Sequence, residues 1–295
     1  MAIFYSRTCN SSASAPTQLR LSCFPIAMAI TPADSAPFWH AILMSPCICL
    51  NRSRHHSSNR FHAGHHCTAR RQCARCCDPA GDALIMPRTT PFELHHRRYD
   101  EWFMRHAAAY HSELLAVRTL LPWRGLGLSI GVGTGRFAAP LGVQTGIDPT
   151  HEVLAYASKR GVSVVQSIAE ALPFTDHSFD YALCVTTICF VDDAGAMLRE
   201  AHRVLKSSGA LVIGFIDRTS ELGQHYLAHQ AENVFYRDAT FFSAAEVEQL
   251  LHDTGFSEPV WVQTLSKTLE ETREIEPLRA GYGEGAFVTV KVNRP

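Results

Sequence analysis

A glycine-rich segment, Gly131-Val132-Gly133-Thr134-Gly135-Arg136, follows the apolar run at residues 126–130. Glycines at such a turn let the backbone approach a ligand closely and present amide groups at the start of a helix. Asp148 ends the next apolar run, where a carboxylate can accept hydrogen bonds from both hydroxyls of a ribose. Together, the two features predict a binding site for a cofactor that contains a nucleoside.

The spacing of the glycines separates two classes of cofactor. The dinucleotide fingerprint G-x-G-x-x-G needs a glycine at position 136, where this chain has Arg136. The tighter G-x-G-x-G form therefore argues for a different ligand. Two alternatives stay open: a nucleotide-dependent oxidoreductase that uses NAD, and a non-catalytic module that binds a cofactor or only a partner.

The elements that must position this segment follow from the alternation of apolar runs and amphipathic stretches. Near-continuous apolar strands between amphipathic helices predict a parallel sheet covered on both faces. The last two runs are joined by a link with little helical signal, which predicts an antiparallel hairpin. We expect an α/β fold with a doubly wound, mostly parallel seven-stranded sheet whose last strand is antiparallel. Strands are predicted at 126–130, 143–147, 162–165, 181–185, 210–216, 260–262 and 286–292, with helices at 136–141, 150–159, 194–205 and 243–254.

Two further segments are expected at the edge of the sheet where ligands bind. Residues 92–121 carry apolar side chains at helical spacing up to Pro122, which predicts an entry helix. Residues 218–242 form an aromatic-rich insertion after the fifth strand, and its length predicts a lid. With Tyr282, this insertion is expected to enclose a small, partly apolar molecule rather than nucleic acid.

Composition divides the 295-residue chain at Met86. Residues 1–85 contain eight arginines, three aspartates, no lysine and no glutamate, a net charge of +5, together with eight of the ten cysteines. Residues 86–295 therefore have a net charge of −6 and contain only Cys184 and Cys189. We expect residues 1–85 to be a disordered or non-native leader, with the true start at Met86, and residues 86–295 to form the functional domain.

Other interpretations of the leader stay open. Its low acidity with scattered arginine and serine resembles an organellar transit peptide, and residues 21–30 resemble a short signal sequence that Pro25 interrupts. Zinc binding is a third alternative, although no second cysteine pair follows at finger-like spacing. The ligands for it would be His65, His66, Cys67, Cys73, Cys76 and Cys77.

The acidic body, residues 86–295, excludes several classes of protein. It contains no run of about 18 uninterrupted apolar residues, so no membrane-spanning helix is expected. Its two cysteines are typical of a reducing compartment, and its charge gives no general affinity for nucleic acid, so we expect a cytoplasmic protein. The spacing of its cysteines and histidines predicts no metal site, and no oligomeric state is indicated.

From Ser129 to Asp217 the chain resembles the class I S-adenosylmethionine-dependent methyltransferases. The similarity is to the small-molecule kind (methyltransferase type 11) related to the methylases of ubiquinone and menaquinone biosynthesis. Five motifs in the family's order carry the resemblance. They are Ile130 to Arg136, Asp148-Pro149, Ala169-Glu170-Ala171-Leu172-Pro173-Phe174, Asp176-His177-Ser178-Phe179-Asp180, and Arg199-Glu200 with Arg203-Val204-Leu205-Lys206.

The resemblance implies S-adenosylmethionine as cofactor, a small-molecule methyl acceptor and a set of binding residues. Gly131, Gly133 and Gly135 would line the methionine half, Asp148, followed by Pro149, would hold the ribose, and Ile168 and Ala169 would border the adenine. Thr186 would lie beneath the sulfonium, and Tyr99 and Trp102 would cover the site from the entry helix. Because Ser129 and Ile168 replace the acidic residues usual in the family, affinity is expected to depend on backbone amides and stacking.

Two carboxylates are candidates for binding the acceptor or acting as a general base. Asp217 follows the fifth strand at the ligand edge, and Glu284 precedes the last strand. The alternatives are that Asp217 caps a turn or pairs with Arg218, and that Glu284 lies in a solvated loop. A base is needed only if the acceptor starts protonated.

Overall fold

A computed structural model of the chain describes residues 89–257 and 259–295. The predictions for the leader, including its zinc ligands, its targeting signals and the start at Met86, lie outside the described residues. In the described ranges, strands and helices alternate through most of the chain. None of the helices found there combines the length and the apolar character that a membrane crossing needs.

The described residues form one eight-stranded mixed sheet. Its strands are β1 Gly127–Ile130, β2 Thr145–Asp148, β3 Ser163–Gln166, β4 Phe179–Val185, β5 Leu205–Ile216, β6 Val260–Thr264, β7 Arg279–Ala280 and β8 Phe287–Asn293. The order is β3-β2-β1-β4-β5-β8-β6-β7, and the first five strands are parallel. The last strand, β8, runs antiparallel to both β5 and β6. The predicted architecture is confirmed, and the additional strand is the two-residue β7 at the sheet edge.

Seven α-helices cover the strands in the described ranges. They are α1 Thr90–Arg105, α2 Ala107–Leu120, α3 Ala138–Leu141, α4 His151–Lys159, α5 Ala194–Val204, α6 Glu221–Ala228 and α7 Ala244–Asp253. The entry helix predicted at 92–121 is therefore two helices. His106 separates them because its backbone leaves the helical conformation, with φ −113° and ψ 46°. Helices α3, α4, α5 and α7 each begin and end within two residues of the positions predicted from sequence.

Apolar clusters pack on both faces of the sheet. On one face, Ala182 and Cys184 of β4 belong to a cluster that includes residues of α5 and α7. On the other face, Leu183 and Val185 belong to a cluster that includes residues of α2 and α4. Alternate residues of one strand thus face opposite clusters, as expected for a parallel strand that is buried on both sides.

A partly buried ion-pair cluster holds α1 against the glycine segment. The Asp100 carboxylate accepts from Arg136 Nη2 at 2.7 Å and from Arg160 Nη2 at 2.9 Å. Burial alone would raise the pKa of Asp100, but the hydrogen bonds from both guanidinium groups lower it to about 2. Arg160 also donates to the Thr134 carbonyl at 2.6 Å. Arg136, the residue that departs from the dinucleotide fingerprint, therefore fixes the entry helix over the turn.

Candidate active site

The glycine segment forms a tight turn after β1, at the carboxyl edge of the sheet. Gly131 and Gly133 have φ values of 68° and 52°, in the left-handed region that favours glycine. The Val132 amide donates to the Ile147 carbonyl at 2.7 Å and ties the turn to β2. A Cβ atom on Gly131 would lie 2.2 Å from Thr187 Oγ1, so this position has no room for a side chain.

Asp148, the last residue of β2, fastens the same turn. Its Oδ2 accepts from the Gly133 amide at 3.0 Å, and its Oδ1 accepts from the Thr150 amide at 2.9 Å. Burial raises the pKa of Asp148, and the two amide hydrogen bonds offset part of that effect. Each carboxylate oxygen keeps a second lone pair for a ligand. Asp148 can therefore bind a pair of hydroxyl groups while it holds the turn in place.

A cavity of about 370 Å³ lies at this edge of the sheet, within the range of roughly 300–1,000 Å³ usual for small-molecule sites. Its lining includes nine of the ten residues predicted to bind the cofactor. They are Tyr99, Trp102, Gly131, Gly133, Asp148, Pro149, Ile168, Ala169 and Thr186. Residues that are 87 positions apart in sequence thus meet at one site.

Gly135 is the predicted cofactor residue that the structure does not bring to the cavity. It is absent from the described residues that line it. Its φ is 80°, and a Cβ atom there would lie 2.9 Å from the Cα of Ala157. Glycine is required at this position because the turn packs directly against the backbone of α4.

Aromatic side chains from three parts of the chain form one wall of the cavity. Phe92 of α1 contacts Phe190, which follows β4, with ring centroids 5.1 Å apart. Phe235 packs on Phe92 at 5.5 Å, and Tyr236 stacks on Phe190 at 5.9 Å. Both belong to the insertion predicted as a lid at 218–242, which also supplies Leu222, Tyr226 and Asn233 to the lining. The insertion therefore contributes to the wall of the cavity, as its position after β5 predicted.

Glu113 lines the cavity and was not among the residues predicted from sequence. Its side chain lies on α2 and is only 4% exposed. Burial raises the pKa of Glu113 to about 8. A signal was present in the sequence, since Glu113 stands four residues from both Ala109 and Val117, on the buried side of α2. An acidic residue inside an apolar stripe is costly to bury and marks a candidate functional group.

Asp217, predicted to contact the acceptor, is not among the described residues that line the cavity. Its side chain is buried, and its Oδ1 accepts from both the amide and the hydroxyl of Thr219 at 2.8 Å. These bonds hold the carboxylate within the loop that connects β5 to α6. The alternative that Asp217 caps a turn agrees with these contacts.

Glu284 also lies outside the described lining of the cavity. Its side chain is exposed and pairs with Arg279. The amides of Glu284 and Gly285 both donate to Gln263 Oε1, at 2.8 and 2.7 Å, so the segment is held against β6. Tyr282, just before it in the chain, is also absent from the described lining and donates its hydroxyl to Glu248 at 3.0 Å. The antiparallel hairpin was predicted correctly, but these contacts direct its connection away from the site.

Thiols and metal ligands contribute no reactive group to the described site. Cys184 and Cys189 are free, and burial raises the pKa of both, that of Cys184 to about 12. Both thiols therefore stay protonated at neutral pH. In the ranges 89–257 and 259–295, no three His, Cys, Asp or Glu side chains are arranged to hold a metal ion.

Comparison with known proteins agrees with this geometry. A family model described as a methyltransferase domain matches residues 128–213, which contain the glycine segment and Asp148. An uncharacterized protein of Methanocaldococcus jannaschii is 40% identical over 203 residues, covering 69% of this chain and 98% of that protein. The ubiquinone biosynthesis O-methyltransferase of Azorhizobium caulinodans is 30% identical over 156 residues, covering 47% of this chain and 62% of the enzyme.

A crystal structure from Thermotoga maritima resembles nearly all of the described fold. It is described as a SAM-dependent methyltransferase and possible histamine N-methyltransferase. It is 49% identical to this chain, with a TM-score of 0.68, and the match covers 70% of this chain and 99% of the Thermotoga chain. The resemblance found in the sequence is confirmed, and the NAD-dependent alternative has no support. The chain belongs to the S-adenosylmethionine-dependent methyltransferases, and S-adenosylmethionine is its methyl donor.

Proposed function

We propose that the protein transfers the methyl group of S-adenosylmethionine to a small molecule held inside the cavity. The observation that carries this proposal is the enclosure of the site. Helices α1 and α2 and the insertion at 218–242 all contribute to its walls, and the volume of about 370 Å³ suits a small ligand. The net charge of −6 on residues 86–295 also disfavours a nucleic acid.

We assign the cofactor to the part of the cavity next to the glycine segment. Gly131 and Gly133 provide a surface without Cβ atoms, which lets the methionine half approach the backbone. Asp148 receives the ribose hydroxyls, with Pro149 beside it, and Ile168 and Ala169 border the adenine. When bound, the cofactor supplies an activated methyl group, so the protein needs no covalent group of its own.

The remaining contribution of the protein is positioning and exclusion of water. Tyr99 lies over the turn, since a Cβ on Gly133 would be 3.3 Å from its hydroxyl oxygen. Trp102 lines the cavity beside it, and Thr186 lines it at the end of β4. Fixing donor and acceptor in line can accelerate a reaction greatly without a catalytic nucleophile. We assign the activity to the domain at 86–295, because the lining residues run from Thr89 to Leu269.

A labelled-methyl assay tests the proposed acceptor class. The full chain is incubated with labelled S-adenosylmethionine and a cell extract, which is then separated by size. Histamine is included as a defined acceptor, because the Thermotoga relative is described by that name. We expect label in the small-molecule fraction, and far less of it with an Asp148→Ala variant. Label found only in protein or nucleic acid would reject a small-molecule acceptor.

Replacing Gly131 by alanine is expected to lower the affinity for S-adenosylmethionine by about 10-fold or more. The new Cβ would collide with Thr187 at 2.2 Å, and the turn would have to shift. Gly142→Ala is the matched control, since its φ of 73° imposes the same backbone strain but nothing lies within 4 Å of its Cβ position. Isothermal titration calorimetry on both variants measures the difference. Equal affinities would show that the turn does not contact the cofactor.

A further inference from the structure

Glu113 differs from the other buried carboxylates in having no partner within the fold. Among the described residues, no hydrogen bond or ion pair reaches its carboxyl group, although the side chain is 96% buried. Asp100 pairs with two arginines, and Asp217 accepts two hydrogen bonds from Thr219. Glu276 accepts from the amide and hydroxyl of Ser266 at 2.7 and 2.8 Å. The carboxyl group of Glu113 is therefore free to bind a ligand in the cavity that it lines.

The surroundings of Glu113 are aromatic. Trp102, Tyr226 and Tyr236 line the same cavity. Burial is the main cause that raises the pKa of the Tyr226 and Tyr236 hydroxyls, and the charge of Glu113 adds to it in both. The carboxyl group and the two tyrosine hydroxyls are thus close enough to interact electrostatically. Aromatic faces attract cations, and a lone buried carboxylate does so more strongly.

No cation among the residues that the structure describes pairs with Glu113. Arg98 and Arg105 also line the cavity, but both are exposed. Arg98 stacks over Phe235, and Arg105 donates to the Arg98 carbonyl. Burial raises the pKa of Glu113, and no positive charge in the described part of the chain offsets it. His106, which packs on Trp102, has its pKa lowered by burial and by Arg105, so it stays neutral at pH 7.

We propose that Glu113 binds the methyl acceptor, and that the acceptor is an amine which enters the cavity as a cation. This inference rests on the function proposed above. The ammonium group would satisfy the buried carboxylate and face the rings of Trp102, Tyr226 and Tyr236. A neutral hydroxyl acceptor brings no positive charge to stabilise the ionised form of Glu113, and an acid would add a second negative charge.

The same pairing prepares the amine for reaction. An ammonium group has no free electron pair, so it must lose a proton before it can attack. Because the pKa of Glu113 is about 8, the empty cavity holds this residue as a carboxylic acid at neutral pH, and binding of the ammonium group displaces that proton to solvent. The bound ammonium then passes one proton to the Glu113 carboxylate, whose burial makes it a stronger base than an exposed carboxylate. The nitrogen electron pair then forms the new bond to the methyl carbon while the carbon–sulfur bond breaks, and its electrons stay on sulfur. The methylated ammonium product leaves, and Glu113 keeps the proton it accepted and so returns to its resting, protonated form.

Matched pairs of probes test this proposal. The full chain is assayed with phenethylamine and tryptamine, and with the alcohols that replace each amino group by a hydroxyl, 2-phenylethanol and tryptophol. The variants are Glu113→Gln, which keeps the shape but removes the charge, and Glu270→Gln. Glu270 is an exposed control whose charge also reaches Tyr226 and His106. Affinity for S-adenosylmethionine is measured on each protein by calorimetry.

We expect the wild-type chain to methylate the amines and not the alcohols. Glu113→Gln should lower kcat/KM for amines by about 100-fold or more, with unchanged affinity for S-adenosylmethionine, and Glu270→Gln should have little effect. The proposal is overturned if Glu113→Gln methylates amines normally, if alcohols are preferred, or if the cofactor binds and no amine is methylated. Failure to bind S-adenosylmethionine at all, or methylation of macromolecules alone, would instead contradict the proposed function.

Discussion

Replacing Asp148 by alanine is expected to weaken the binding of S-adenosylmethionine by about 100-fold or more. Two ribose hydroxyls bound to a buried carboxylate contribute roughly 1.5–3 kcal/mol each, and 1.4 kcal/mol is a factor of about ten in affinity. The substitution also removes the acceptor for the Gly133 and Thr150 amides. The turn that supports the methionine half loses its attachment to β2, which weakens binding further.

Calorimetric titration of the wild-type chain and the variant measures this effect, and circular dichroism shows whether the variant is folded. Asp192→Ala is the control, because Asp192 is an exposed carboxylate outside the described lining of the cavity. Its affinity should match that of the wild-type chain. If a folded Asp148→Ala variant binds the cofactor normally, Asp148 has no place in the cofactor site.

Replacing Glu113 by glutamine is expected to stabilise the protein increasingly as pH rises. The pKa of Glu113 is about 8 in the folded chain, against an ordinary value of 4.5. Between these values the folded chain keeps a proton that the unfolded chain has lost, so the stability of the wild type falls as pH rises and levels off above about pH 8. Glutamine does not titrate. The advantage of the variant in free energy of unfolding should grow by roughly 3 kcal/mol from pH 4.5 to pH 7.

Denaturant unfolding of both proteins at several pH values measures this difference. The dependence on pH isolates the carboxyl group, because any packing defect of the glutamine is the same at every pH. The charge of Glu113 acts on the hydroxyls of Tyr99, Tyr110, Tyr226 and Tyr236, and burial raises the pKa of each, so they do not titrate in this window. Glu270→Gln, at an exposed position, should show no such growth. A difference that stays constant from pH 4.5 to pH 8 would mean that Glu113 is not buried as a carboxylic acid.

The fold was largely predictable from sequence because its main signals are local. Continuous apolar strands are required where both faces of a sheet are covered, and β4 shows this with residues buried on both sides. The ends of elements were less predictable. Strand β5 begins at Leu205 rather than at the predicted residue 210. Lys206 and Ser207, in the part of the strand that extends beyond the core, are polar, so no continuous apolar run marks this start. The entry helix is broken at His106, where the sequence has neither proline nor glycine to mark the break.

The cofactor half of the cavity was predictable for a similar reason. The glycine segment follows β1, and Asp148 ends β2. Because β1 and β2 are neighbouring parallel strands, the topology alone places these residues at the same edge of the sheet. Gly135 was predicted from the motif alone, and its packing against Ala157 depends on the position of α4.

The acceptor half depends on contacts between distant segments. Glu284 is held by Arg279 and Gln263, contacts that no local pattern shows. Glu113 comes to the cavity because α2 packs beside the sheet, 35 residues before Asp148 in sequence. Only the acidic residue within the buried stripe of α2 could have indicated it.

A crystal structure of the full chain with S-adenosylhomocysteine, the product of methyl transfer, tests the central claim most directly. We expect both ribose hydroxyls within about 3.2 Å of the Asp148 carboxylate, the methionine half against Gly131 and Gly133, and open space between the sulfur and Glu113. A product whose ribose binds elsewhere, or which fills the space at Glu113, would contradict the assignment of cofactor and acceptor within this cavity.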